Sequence, residues 1–82
     1  MDSTKLVEWL IVEKQMSSRS AKDVLSRCGR VYRMLGVDTL NDKSLEELQQ
    51  NDQFLKSSMF VKSQLKRAVT LCLEFMSKPE DY

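Results

Sequence analysis

Serines and cationic side chains recur together at two places in this chain. One runs from Ser17-Ser18-Arg19-Ser20 to Lys22, the other from Ser57-Ser58 to Lys62-Ser63 and Lys66-Arg67. Hydroxyls and free backbone N–H groups at a helix start, followed by Arg and Lys a turn or two later, are groups that hold phosphate oxygens. Other chemistries lack their parts. The sequence contains no His, and Cys28 and Cys72 have no C-x-x-C spacing, so no zinc or other metal site is expected. There is no Ser–His–acid set and no phosphate-cradling Gly loop, and Glu46-Glu47 most simply support the N-terminal dipole of a helix. Tyr82 has no partner group to activate it and reads as a frayed end rather than a nucleophile. The expectation is a binding module with no catalytic residue, no cofactor and no small-molecule substrate.

These residues must be carried by helices. Two Gly and one Pro in 82 residues leave little room for loops, and the length suits one small all-α domain, residues 1–82, rather than a two-domain enzyme. Four helices are predicted, over residues 3–14, 18–35, 45–55 and 58–77. Ser3 or Asp2 can cap the first, in which Leu6, Val7, Leu10 and Ile11 recur at helical spacing, Trp9 and Val12 widen the stripe, and Trp9 serves as a core anchor. The break at residues 15–18 has no Gly or Pro and is marked by serines, which favour caps over helix interiors.

The second helix carries the clearest pattern. Ala21, Val24, Leu25, Cys28, Val31, Tyr32 and Leu35 share one arc, while Arg19, Lys22, Ser26, Arg30 and Arg33 occupy the opposite one, with Arg27 on its flank and Asp23 as the sole acid. Gly29 within it marks either a close approach or tolerance on the polar side, and Gly36 is the expected left-handed stop. Ser44 and Glu47 form a capping-box signature for the third helix, which Leu45, Leu48 and Phe54 or Leu55 would anchor. Val61, Leu65, Ala68, Val69, Cys72, Phe75 and Met76 form the stripe of the fourth, with Pro79 beyond it as a breaker. The cysteines sit at positions otherwise filled by Leu, Val and Ala, and are expected as buried, reduced thiols in a cytoplasmic protein. The first helix mixes charges into its apolar run and is neither a signal peptide nor a membrane span.

Net charge is +1, but its distribution is uneven: −2 over residues 1–13, +5 over 14–35, −4 over 36–54, +4 over 55–73 and −2 over 74–82. If the second and fourth helices lie side by side, about nine cations gather on one surface, the footprint of a protein that contacts a nucleic-acid backbone. A merely solvated face would interleave acids with these bases, and the second helix has almost none. A membrane surface or an acidic protein offers the same charge, but the apolar arc is committed to a core, which argues against a membrane.

From Trp9 to Met76 the sequence resembles the N-terminal SAM-like, or core-binding, domain of phage-integrase-type tyrosine recombinases. The resemblance lies in the Trp9-Leu10 pair of the first helix, in Met16-Ser17-Ser18-Arg19-Ser20 opening a long helix that closes on Met34-Leu35-Gly36, and in VKSQLKRAVTLCLEFM near the end. Ser20 stands where the family commonly has Thr, and Val24 and Val31 where Tyr and Phe are common. The resemblance implies a small four-helix orthogonal bundle that grips double-stranded DNA through its second and fourth helices during DNA integration and recombination, while a separate catalytic domain cleaves the strands. By position the contacts would come from Ser17, Arg19, Ser20, Lys22 and Arg27, then Ser58, Lys62, Ser63, Lys66 and Arg67; the charge count adds Arg30. The competing expectation is a helical protein-interaction module whose basic face docks an acidic partner, or whose Met1, Met16, Met34 and Met59 line a partner groove.

Overall fold

The computed structural model describes residues 3–77. They form five helices and no strand: α1 (Ser3–Glu13), α2 (Ser18–Leu35), α3 (Ser44–Gln50), α4 (Asp52–Leu55) and α5 (Met59–Met76). The all-α expectation holds, but the segment expected as one third helix is two. Asn51 divides them with an extended backbone (φ −75°, ψ 135°), and its Oδ1 accepts the Gln53 and Phe54 amides at 2.9 and 3.3 Å. Its Nδ2 donates to the Met34 carbonyl at 3.0 Å. An Asn side chain that caps a new turn competes with continuation of the old one, and here the tie to the end of α2 favours the cap.

The α1–α2 break needs a left-handed residue, and Gln15 supplies it at φ 55°. Around it the Lys14 and Met16 amides both return to the Leu10 carbonyl at 3.2 Å, closing α1 without a glycine. α1 begins at Ser3; Asp2, the other candidate cap, lies outside the described residues, as do Met1, Pro79 and Tyr82. Ser17 caps α2 by accepting the Ser20 amide at 3.1 Å. Gly36 stops it at φ 66°, with the Gly36 and Val37 amides both bonded to the Tyr32 carbonyl.

The capping box expected at Ser44 and Glu47 does not form. Lys43 occupies the cap position, while Ser44 lies inside α3 and is buried, its Oγ accepting the Asn41 amide at 2.8 Å. The preceding loop is thereby pulled tight, and its Leu40 enters the core, a burial not foreseen from its polar surroundings.

Leu6, Trp9 and Leu10 of α1, Ala21, Val24, Cys28 and Val31 of α2, Leu48 of α3, Phe54 of α4 and Leu65, Ala68, Val69 and Cys72 of α5 share one core, which Leu71 also joins. Trp9 anchors it as expected, its ring 5.5 Å from that of Phe75. The stripe on α1 is narrower than predicted, because α1 packs chiefly against α2 and α5. Val12 is exposed and Ile11 lies at the edge. Leu45 is half-buried, and of Phe54 and Leu55 it is Phe54 that turns inward. Among the described residues no helix is long and apolar enough to cross a membrane.

Candidate functional site

α2 and α5, the two basic segments of the sequence, pack directly on each other and form the most extensive helix pairing in the fold. Small side chains permit the approach: Ala68 is buried, and the Cys28 thiol donates to its carbonyl at 3.4 Å. One turn further along both helices, Tyr32 Oη lies 3.8 Å from Cys72 Sγ. Beside this seam a groove of about 340 Å³ is lined by Met16, Ser20, Asp23, Val24 and Arg27 on one wall and by Gln64, Arg67 and Ala68 on the other. The chain matches no family model, no curated protein and no solved structure.

Of the site residues expected from sequence, the groove brings together Ser20, Arg27 and Arg67. Helix geometry explains why it leaves out Lys22 and Lys62. Lys22 and Arg27 are five residues apart on α2, and Lys62 and Arg67 are five apart on α5, a separation of about 140° around each helix. Only one member of each pair can face the groove. Lys62 turns the other way, half-buried with its ammonium 5.9 Å from the Phe54 ring centroid, where the cation rests on the aromatic face. Lys66, one turn on, extends that flank and is exposed.

Arg19, Lys22 and Arg30 are exposed on α2, and Ser63 is exposed on α5. Arg33 lines a separate depression with Gly36, Asp38 and Asn41. The basic surface is thus a groove with two cationic shoulders rather than one flat face. Ser17 and Ser58 are exposed, but their hydroxyl oxygens already accept the Ser20 and Val61 amides as helix caps. Each hydroxyl proton is the group left for an outside acceptor at Ser58, whereas Ser17 Oγ lies 3.1 Å from Ser20 Oγ and donates there.

Gln64 was not singled out from sequence. Its signal is positional: it stands four residues before Ala68, on the shoulder of the α5 apolar arc that faces α2. Asp23 puts one negative charge among the arginines, so an anion entering the groove is steered toward Arg27 and Arg67 and away from the Asp23 carboxylate.

Beneath the groove the sulfurs are structural. Cys28 and Cys72 are free and buried. The hydrogen bond to Cys72 and burial both push the Cys28 thiol well above its ordinary value. Burial, then the bond to Cys72, pushes Tyr32 up as well. At Cys72 the bonds from Cys28 and Tyr32 outweigh burial and lower the thiol to about 7, whereas Cys28 is held neutral. A thiol held neutral in the core is a packing group rather than a nucleophile.

Proposed function

We propose that the chain is a DNA-binding module without catalytic activity of its own. It grips duplex DNA through the groove between α2 and α5, as the resemblance to the core-binding domains of tyrosine recombinases implies. The observation that carries this reading is the packing of the two most basic segments against each other, with Arg27 and Arg67 lining one groove. Guanidinium forks hold phosphate oxygens in two-point contacts, and Ser20 and Gln64 add neutral donors between them. Arg19, Lys22, Arg30 and Lys66 on the shoulders extend the cationic surface along the backbone, where charge acts over about 8–10 Å at ordinary salt. Within this reading the SAM-like architecture belongs to a domain that positions DNA for a catalytic domain elsewhere.

The alternative, a protein-interaction module that docks an acidic partner, draws on exposed Leu55 and Met59. A fluorescence-anisotropy titration with a mixed-sequence duplex of about 20 bp separates the two. Six phosphate contacts predict a loss of affinity of roughly 1,000-fold between about 50 and 200 mM salt. Arg27→Glu with Arg67→Glu is expected to abolish binding while the helical circular-dichroism spectrum and melting transition persist. No binding by the native chain at low salt overturns the DNA reading and leaves the basic groove to an acidic protein.

A further inference from the structure

Phe60 is 69% exposed in the first turn of α5, a large apolar surface for an aromatic ring in a small domain. Its neighbours on the same helix face are Ser63, Gln64 and Arg67, at i+3, i+4 and i+7. An α-helical docking surface for another protein would repeat apolar residues at those spacings, and here all three are polar. The ring is the apolar member of that helix face, one turn before Gln64 and two before Arg67, both of which line the groove.

From Phe60 to Arg67 is seven residues, about 10 Å along the helix axis, a span of about three stacked nucleotides of one strand. An exposed ring in helical register with a groove arginine suits one occupant chemistry, a flat apolar base attached to a phosphate chain. Every base presents a face to stack on, so such a platform does not depend on sequence. A base within intact duplex is already stacked on its neighbours and cannot reach it.

Building on the DNA-binding reading, we propose that Phe60 stacks on an unpaired base where duplex DNA opens into single strand, while Arg27 and Arg67 hold the phosphates beside it. The ligand class is a forked or frayed duplex rather than a blunt one.

The test compares anisotropy titrations of a blunt duplex of about 20 bp and the same duplex carrying a short unpaired arm of thymidines, using the full chain. The native chain is expected to prefer the forked duplex by about tenfold, the scale of one base–aromatic stack. Phe60→Ala and Phe60→Leu should both erase that preference and leave blunt-duplex affinity unchanged, while Phe60→Tyr retains it. Equal affinity of the native chain for the two duplexes overturns the inference and leaves the DNA-binding reading standing. So does a Phe60→Leu variant that keeps the preference, since Leu supplies apolar area without a ring. Binding to neither duplex overturns the DNA-binding reading itself. Because Phe60 is exposed and outside the core, its variants are expected to melt with the native chain, which separates loss of stacking from loss of fold.

Discussion

The Cys28 thiol donates to the Ala68 carbonyl across 3.4 Å, and this contact joins the two helices that carry the groove. Ala68 is buried at this crossing. Ala68→Leu is expected to force α5 away from α2 and to cost about 1–3 kcal/mol through overpacking. Urea unfolding followed by circular dichroism gives the stability change. Ala68→Ser, close in volume, should cost less than Ala68→Leu.

The two glycines should respond in opposite directions. A Cβ on Gly29 would meet only Arg33 Nη1, at 3.6 Å, an ordinary contact with a flexible side chain, so Gly29→Ala is expected to stabilise by about 0.5–1 kcal/mol. Gly36 has open space around it but a left-handed backbone at φ 66°, so Gly36→Ala is expected to cost about 1 kcal/mol despite the room. Paired melts of the two variants check both signs.

Removing the Asn51 side chain should unlatch three hydrogen bonds at once, two to the start of α4 and one to the end of α2. Loss of such a cap costs about 1–2 kcal/mol. Asn51→Ala is therefore expected to lower the melting temperature, and Asn51→Asp, which keeps the acceptor but not the Nδ2 donor, should recover only part of the loss. Amide hydrogen exchange at Gln53 and Phe54 should accelerate in Asn51→Ala.

Stability should fall above pH 9, after the lowered Cys72 has raised it between about pH 7 and 9. In the unfolded chain Cys28 and Tyr32 ionise at ordinary values of 9.0 and 10.0, whereas in the folded chain both are raised. Above pH 9 the unfolded state therefore holds fewer protons than the folded one, and unfolding becomes progressively more favourable as pH rises. Below pH 9 the contribution of Cys28 and Tyr32 is fully present. Urea midpoints at pH 9 and pH 10.5 measure the fall, which should be shallower in Tyr32→Phe.

The shoulders of the groove should contribute to DNA affinity without setting it. Arg19→Ala and Lys66→Ala are each expected to lower the magnitude of the salt slope by roughly one and to weaken binding evenly across duplex sequences. Lys62→Ala should change affinity less, because its ammonium rests over Phe54 on the other flank.

The α2 pattern was legible in the sequence because period and charge agreed: its apolar arc became the buried face and Gly36 its left-handed stop. The third segment was less legible. Ser44 and Glu47 satisfied the capping spacing, but the Ser44 hydroxyl is engaged by Asn41 and buried, a tertiary constraint that local spacing does not carry. Asn51 broke the helix for a similar reason, since its partner Met34 lies 17 residues away. At the candidate site, charge counting singled out two helices that pack on each other but treated each cationic face as uniform. The division of Arg27 from Lys22 and of Arg67 from Lys62 depends on which flank each helix turns to the other.

The two walls of the groove come from segments about 40 residues apart in the chain, as the Cys28–Ala68 contact measures. No local stretch of the sequence can form this groove by itself, so its existence reports completion of the entire fold. Any ligand that bridges Arg27 and Arg67 therefore draws its affinity from the native state alone and returns it as global stability: at a hundredfold excess over its dissociation constant, unfolding becomes costlier by about 2.7 kcal/mol. In a chain of 82 residues that is a large share of what holds it together, and occupancy and folding become two readings of one equilibrium.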